Sequence, residues 1–212
     1  MSDGCVLVMA KAPLAGRVKT RLCPPCSPEQ AASIAAAALA DTLTAVANSS
    51  ATRRIVALDG EPGPWLPAGF EVIPQRGDSF EERLEDAWSA VDGACVQIGM
   101  DTPQVTAGHL DNALDALRYA AAALGPAADG GWWALALRRP QPGAFTGVAM
   151  STEHTGRDQE ARLQSFGLDV IHLPVLIDID TISDLLAVVR DAPNTLTSRQ
   201  AATFGLLDPV DR

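Results

Sequence analysis

The stretch CVLVMAKAPLAGRVKTRL, residues 5–22, joins a short apolar run to a loop rich in cations. Residues 5–9 are rich in Val and are followed by turn-forming residues, which predicts a buried β-strand that ends in a loop. No carboxylate occurs between Asp3 and Glu29. The same interval holds four cations, namely Lys11, Arg17, Lys19 and Arg21. This stretch therefore predicts the first strand of a sheet and, directly after it, a local site for an anion.

The rest of the chain repeats this alternation of strand and helix. Further strands are predicted over residues 53–58, 70–74, 94–99, 132–137 and 169–177. Helices are predicted to begin at the capping residues Ser27, Ser79 and Thr181, and to cover residues 106–120 and 157–166. Continuously apolar strands that alternate with helices indicate a mainly parallel sheet covered on both faces. We therefore expect an α/β protein, a three-layer α/β/α sandwich, with its ligands beyond the carboxyl ends of the strands.

Length and composition exclude several classes of protein. The 212 residues suit one domain over residues 1–212, since a domain typically has roughly 150 residues. The 16 cations and 26 carboxylates give a net charge of −10, which argues against general affinity for nucleic acid. Because no uninterrupted apolar stretch of about 18 residues occurs, no membrane span is expected. A cytoplasmic location is expected.

The loop at residues 10–22 has the composition of a phosphate-binding loop. Glycine permits close approach of the backbone to a ligand, and clustered cations neutralise phosphate charge. The loop matches neither the GxxxxGK[ST] pattern nor the GxGxxG pattern. The alternative is a solvated basic turn, but a carboxylate-free cluster in an acidic chain favours phosphate binding.

A second loop, IGMDTP at residues 98–103, places Asp101 at the end of an apolar strand. A carboxylate in that position can hold Mg²⁺ or Mn²⁺, which prefer oxygen ligands and also bridge phosphate oxygens. It can equally cap a helix or form an Asx turn before Pro103. The spacing alone leaves both interpretations open.

The cysteines favour no special chemistry. Cys23 and Cys26 form a Cys-Pro-Pro-Cys motif, which could be redox-active or half of a zinc site. Because no second pair of ligands is visible, the motif is interpreted as the turn into the next helix.

Four segments in this order carry a resemblance to a known family. They are AKAPLAGRVKTRL at 10–22, IGMDTPQVT at 98–106, LGPAADGGWWALAL at 124–137 and VLIDIDTISDL at 175–185. Together they resemble the bacterial GT-A-like glycosyltransferase family of the nucleotide-diphospho-sugar transferase superfamily. That superfamily also contains the molybdenum-cofactor and phospholactate guanylyltransferases. The resemblance extends over roughly residues 5–186 and implies an α/β/α sandwich that binds a nucleotide above its sheet.

The resemblance also implies a set of site residues. Lys19 and Asp101 are the implied catalytic residues. The nucleotide and its phosphates would be bound by Ala10, Lys11, Gly16, Arg17, Lys19, Thr20, Arg21, Gln75 and Gly77. A bound Mg²⁺ or Mn²⁺ would be held by Asp101 with Asp178 or Asp180. The acceptor or sugar side would be formed by Asp129, Gly130 and Trp132.

Two segments depart from the family pattern. Relatives usually have a small residue or Cys-Pro around the metal-binding Asp, where this chain has Met100 and Thr102. They usually have Trp-Ser-Thr in a later loop, where this chain has Met150-Ser151-Thr152. The resemblance therefore does not predict which acceptor the protein uses.

The sequence thus predicts a metal-dependent transferase that takes a nucleotide donor and a small-molecule acceptor. Glycosyl transfer from a nucleotide-sugar is the first expectation. Nucleotidyl transfer from a nucleoside triphosphate, with release of pyrophosphate, is the alternative, since the cations of the basic loop suit β- and γ-phosphates. A third possibility is a protein that binds a nucleotide but catalyses no reaction.

Overall fold

The computed structural model describes residues 4–207 and contains one seven-stranded sheet. The strands are β1 (Cys5–Lys11), β2 (Arg53–Asp59), β3 (Glu71–Pro74), β4 (Cys95–Gly99), β5 (Ala122–Pro126), β6 (Trp132–Leu137) and β7 (Val170–His172). The helices are α1 (Pro28–Ala47), α2 (Phe80–Trp88), α3 (Ala107–Ala116), α4 (Thr155–Ser165), α5 (Ile182–Asp191) and α6 (Leu196–Thr203). A short 3₁₀ helix covers Thr20–Leu22.

The sheet is mainly parallel, as predicted. Its strand order is β3-β2-β1-β4-β6-β5-β7, with β6 antiparallel to both of its neighbours. The remaining pairs are parallel, and Cys5 of β1 lies level with Arg53 of β2 and with Cys95 of β4. The carboxyl ends of the parallel strands therefore face one edge, where the loops after β1, β3, β4 and β5 converge.

Helices cover both faces of this sheet and form the expected three layers. On one face, α1 and α3 pack on alternate strand residues such as Val6 and Val96. On the other face, α2 and α4 pack on the intervening residues, such as Leu7 and Leu135. A further cluster joins α1 to α5 and α6. Because successive strand residues point to opposite faces, continuously apolar strands are needed to fill both layers.

Helix starts agree with the sequence signals. Ser27, Ser79 and Thr181 each accept a hydrogen bond from the backbone N–H three residues later. The side chain of that later residue bonds back to the backbone N–H of the cap, which forms a capping box. The predicted starts of α1, α2 and α5 are confirmed.

Several predicted bounds were wrong. The helix expected over residues 106–120 ends at Ala116, because the chain must turn into β5, which the sequence did not predict. The Ala-rich segment of β5 lacks the β-branched residues that usually mark a strand. The strand expected over 169–177 is limited to Val170–His172, and Pro174, which has no backbone N–H to donate, follows shortly after. Helix α6 was not predicted.

Helix α1 is the one described helix whose length and composition would allow it to cross a membrane. It has 20 residues and a mean hydropathy of 1.3 over its most apolar part. Ten of its residues, including Leu39 and Leu43, are buried against the sheet, α3 and α6. This packing accounts for its apolar character as that of a core helix.

Candidate functional site

The loop after β1 forms one wall of a cavity of about 440 Å³ at the carboxyl edge of the sheet. Four cations line this cavity: Lys11, Arg17, Lys19 and Arg83. Ala10 and Gln75 also line it, and we call this space the basic cavity. The Gln75 Nε2 group donates to the carbonyl oxygens of Ala10 and Ala57, at 2.9 Å each, so only its Oε1 is available to a ligand. Three of the four cations predicted to form an anion site therefore line one cavity, and their binding of an anion stays a prediction.

Lys19 is the most enclosed of these cations. Its side chain is 8% exposed, and its Nζ lies 2.9 Å from Asp101 Oδ2 and 3.3 Å from Asp180 Oδ1. It also donates to the Ile179 carbonyl oxygen. Burial by itself would lower the pKa of Lys19, but the charges and hydrogen bonds of Asp101 and Asp180 raise it above the ordinary value. The ammonium group is therefore fully charged at neutral pH.

The carboxylates come from two segments that meet at the sheet edge. Asp101 follows β4, and its carbonyl oxygen accepts a hydrogen bond of 2.9 Å from the N–H of Ile179. This bond fixes the segment that carries Asp178 and Asp180 beside Asp101. Asp180 forms a second ion pair with Arg21, in which Arg21 Nη1 and Asp180 Oδ2 are 2.9 Å apart.

Asp178 is the most perturbed acid of the site. Burial raises its pKa to about 7, and the nearby charges of Asp101 and Asp129 act in the same direction. A hydrogen bond from the hydroxyl of Thr102 opposes this rise by stabilising the carboxylate. A buried carboxylate next to two other acids is stabilised when it takes up a proton or when a cation binds beside it.

These carboxylates suit a hard divalent cation in their chemistry. Within residues 4–207, no three His, Cys, Asp or Glu side chains lie close enough to hold a metal ion. The Lys19 ammonium instead lies between Asp101 and Asp180 and supplies the positive charge. The donor set is made of oxygen atoms, as Mg²⁺ and Mn²⁺ prefer. Binding of such an ion by Asp101 with Asp178 or Asp180 stays a prediction.

A second cavity, of about 380 Å³, adjoins the basic cavity and shares Asp101 with it. It is lined by five carboxylates: Asp101, Asp129, Glu153, Asp178 and Asp180. Gln97, Gly131, Trp132 and Trp133 also line it, and we call this space the acidic cavity. Arg21 is the one cation found among its described lining residues. The basic and acidic cavities share Met9, Phe80, Gly99, Asp101 and Ser151.

Two residues bordering these cavities have an unfavourable backbone conformation. Among residues 4–207, Lys19 (φ 49°) and Ser151 (φ 60°) are the non-glycine residues with positive φ. Such conformations cost of order 1–3 kcal/mol each and are concentrated at functional sites. Their position at the two cavities supports a functional role for this edge of the sheet.

Glycines of the predicted set lie next to the cavities without lining them. At Gly130 (φ 89°), a Cβ would lie 2.1 Å from the carbonyl oxygen of Glu153. The Asp129-Gly130-Gly131 turn therefore packs directly on the start of α4. Gly16 and Gly77 also have positive φ, and neither they nor Thr20 line either cavity. The role of Gly16, Thr20 and Gly77 in nucleotide binding stays a prediction.

The remaining predicted residues divide between the cavities. Ala10, Lys11, Arg17, Lys19 and Gln75 line the basic cavity, whereas Arg21, Asp129, Trp132, Asp178 and Asp180 line the acidic one. Sequence reasoning missed Phe80, Arg83, Gln97 and Glu153. Gln97 did carry a signal, because it is the one polar residue in the apolar strand CVQIG. The others lie on a helix and a loop whose approach to the site is set by tertiary packing.

Comparisons with known proteins agree with this fold. The family profile described as "Uncharacterized protein conserved in bacteria (DUF2064)" matches residues 31–152. No curated protein matches the chain. A protein from Desulfovibrio desulfuricans G20, assigned by name to the nucleotide-diphospho-sugar transferases, has a solved structure with a TM-score of 0.87 and 25% identity. That match covers 98% of this chain and 97% of the other.

Two more distant structures share the architecture. Rv0371c from Mycobacterium tuberculosis H37Rv, in a complex with manganese, gives a TM-score of 0.59 at 17% identity, over 89% of this chain and 99% of its own. CMP:2-keto-3-deoxy-manno-octonic acid synthetase complexed with CTP gives 0.58 at 15% identity, over 88% and 97%. The chain therefore has the nucleotide-diphospho-sugar transferase fold.

Proposed function

This chain belongs to the bacterial family DUF2064, and we propose that it is a metal-dependent transferase that moves a glycosyl group from a nucleotide-sugar to a small-molecule acceptor. The observation that carries the proposal is the pair of cavities of opposite charge that meet at Asp101. A nucleotide-sugar has a charge distribution that matches the two cavities, since its diphosphate is anionic and its sugar is neutral and rich in hydroxyl groups.

In this proposal the diphosphate occupies the basic cavity. Lys11, Arg17 and Arg83 face it, and Lys19 is within reach because it lines the same space. Cations preorganised around a phosphate stabilise the charge that collects there when the bond to the sugar breaks. The negative charge of the leaving group also offers Lys19 an alternative partner to Asp101 and Asp180.

Asp101, with Asp178 or Asp180, would hold Mg²⁺ or Mn²⁺ when the donor is bound. Such an ion neutralises phosphate charge and acts as a Lewis acid on the leaving group. The manganese complex of Rv0371c supports the use of a divalent cation in this fold. The structural support from this chain is the oxygen-only donor set around the Lys19 ammonium.

The proposed chemistry takes place where the two cavities join. A lone pair of an acceptor hydroxyl attacks the anomeric carbon, and the bond from that carbon to the phosphate oxygen breaks. Its electron pair leaves with the nucleoside diphosphate, which the basic cavity stabilises. The proton of the hydroxyl passes to a carboxylate of the acidic cavity. This cavity has several such carboxylates, and one of them, Asp101, lines the basic cavity as well.

Nucleotidyl transfer is the second candidate, favoured by the four cations of the basic cavity. These could bind the β- and γ-phosphates of a nucleoside triphosphate while the acceptor attacks the α-phosphorus and pyrophosphate leaves. The structural likeness to a CTP-binding synthetase also supports this candidate.

A thermal-shift panel separates the two candidates. Nucleoside triphosphates, nucleoside diphosphates and nucleotide-sugars are each tested with and without Mg²⁺ or Mn²⁺. A ligand at a hundredfold excess over Kd stabilises the native state by about 2.7 kcal/mol. Glycosyl transfer predicts a metal-dependent shift with nucleotide-sugars or diphosphates. A preference for triphosphates would instead support nucleotidyl transfer.

Asp101→Asn tests the metal assignment in the same panel. We expect it to abolish the metal-dependent part of the shift, since it removes a charged oxygen ligand. Asp115→Asn is the matched control, because Asp115 is an exposed acid on α3 outside both cavities. An unchanged metal-dependent shift in Asp101→Asn contradicts the assignment. No shift of the native protein with any nucleotide would contradict both transfer reactions.

A further inference from the structure

The acidic cavity has features that identify the chemical class of acceptor. Resting on the transferase function proposed above, we infer that the acceptor is a hydroxyl-bearing small molecule without phosphate or carboxylate groups, with one of its oxygens bound to the side-chain amide of Gln97. Two independent features of the cavity support this class of acceptor: the charge of its wall and the orientation of Gln97.

The wall offers many hydrogen-bond acceptors and little positive charge. Asp129 and Glu153 line it together with the three acids near Lys19. The Arg21 guanidinium, its one cation among residues 4–207, is already 2.9 Å from Asp180. A cation bound at Asp101 and Asp178 would still leave Asp129 and Glu153 negative. Hydroxyl and ammonium groups can donate to such carboxylates, whereas an anion is repelled.

Gln97 supplies a donor in the wall of this cavity. It lies on β4 and is 2% exposed, and its Oε1 accepts a hydrogen bond from Trp88 Nε1. An indole N–H can only donate, so the atom facing Trp88 must be the oxygen of the amide. Because Gln97 lines the cavity and its oxygen is bonded to Trp88, Nε2 is the polar atom left for a ligand there. An amide donor that reaches the cavity wall in this way can bind an oxygen atom of a ligand.

Trp132 adds an apolar surface to the same wall. Its ring stacks on Phe145, with the centroids 6.3 Å apart and an interplanar angle of 30°. Its Nε1 is buried without a hydrogen-bond partner in the described part of the chain. A fixed aromatic ring beside carboxylates and an amide donor suits a compact ligand that has both C–H and O–H surfaces. The cavity is built for a polyol or sugar, and an amino group in place of a hydroxyl would also be accommodated.

Binding of matched sugars, followed by NMR on ¹⁵N-labelled protein, tests this inference. The probes are glucose, glucosamine and glucose 6-phosphate, and pyrophosphate with Mg²⁺ is present to occupy the basic cavity. The observed signals are the side-chain amide of Gln97 and the indole N–H of Trp132. We expect glucose and glucosamine to shift both signals. Glucose 6-phosphate should bind at least about tenfold more weakly than glucose, since a phosphate must be placed among like charges.

Two variants sharpen the result. Gln97→Glu keeps an oxygen for Trp88 Nε1 but removes the amide donor, so we expect weaker glucose binding, and a dispersed Trp88 indole signal checks that the variant is folded. Glu153→Lys places a cation at the cavity and should increase the affinity for glucose 6-phosphate relative to glucose. The Glu153 side chain is 80% exposed, so this variant is expected to fold. Asp115→Lys, which makes the same charge change outside both cavities, is the control.

The inference is overturned if glucose 6-phosphate binds as tightly as glucose at the acidic cavity. It is also overturned if none of the three sugars shifts the Gln97 and Trp132 signals. Pyrophosphate that fails to bind would contradict the donor site proposed above. The sugar preference, repeated without pyrophosphate, would still report on the acidic cavity, so the two failures are distinguishable.

Discussion

Substitution of Asp178 by Asn is predicted to stabilise the metal-free protein above neutral pH. Burial and the nearby acids raise the pKa of Asp178 from its ordinary value of 3.8 to about 7. Its charged form is thus less favourable in the folded protein than in the unfolded chain. Asn is close to Asp in size, it can still accept a hydrogen bond from Thr102, and it carries no charge. The substitution therefore removes a destabilising charge while it removes a proposed metal ligand.

The sign and size of the effect of Asp178 on the unfolding free energy follow from proton linkage. Because the folded-state pKa is the higher one, the folded protein binds the proton more tightly. This contribution to stability is fully present below pH 3.8 and is lost as the pH rises through about 7. A difference of about 3 pH units corresponds to roughly 4 kcal/mol in total. Between pH 5 and pH 8 the loss amounts to about 2.6 kcal/mol, a large part of a typical unfolding free energy of about 5–15 kcal/mol.

Urea unfolding with EDTA present, at pH 5 and at pH 8, measures the effect. Titrating groups far from Asp178 affect both proteins alike, so the quantity of interest is the change in unfolding free energy between the two pH values in wild type minus that change in Asp178→Asn. We expect this difference to be about 2.6 kcal/mol. Asp115→Asn, which alters an exposed acid, should follow the wild type. If Asp178→Asn loses as much stability as the wild type between the two pH values, the reasoning about the buried acid is refuted.

Two further substitutions test the basic loop and the turn before β6. Lys19→Ala should weaken binding of a triphosphate more than that of a monophosphate, measured by calorimetry, because we place its ammonium on the outer phosphates; equal losses would contradict that placement. Gly130→Ala should lower the unfolding free energy by about 1–3 kcal/mol or more, because Gly130 has positive φ and a Cβ there would lie 2.1 Å from the Glu153 carbonyl oxygen. Gly93→Ala, which also has positive φ but open space around its Cβ position, is its control, and an equal cost in both would show that the contact with Glu153 contributes nothing.

Local signals in the sequence predicted a large part of the fold. The capping residues Ser27, Ser79 and Thr181 marked helix starts correctly, because a cap involves only the next three residues. The missed strand β5 had no such signal. Its Ala-rich sequence forms a strand because β6 and β7 supply hydrogen bonds on both of its sides. Tertiary pairing outweighed local propensity at that position.

Local sequence signals also marked some residues of the candidate site and missed others. Sequence spacing marked the basic loop and Asp101 as candidates, since both directly follow apolar strands. It did not identify Glu153, which lies in the loop before α4, or Arg83, which lies on α2. It also gave no indication that Lys19 would be held by Asp101 and Asp180. Those contacts join residues up to 161 positions apart, and no local pattern encodes them.

The sequence by itself determined the α/β class, the mainly parallel sheet and the presence of a cation-rich loop at a strand end. These depend on periodicity, capping and composition, which are properties of neighbouring residues. The tertiary structure alone decided that the charges separate into a basic and an acidic cavity that share Asp101. It also decided that Gln97 presents its amide donor to the acidic one. The physical reason is that electrostatics and burial depend on distances in space, and these are fixed only when the loops converge at the carboxyl edge of the sheet.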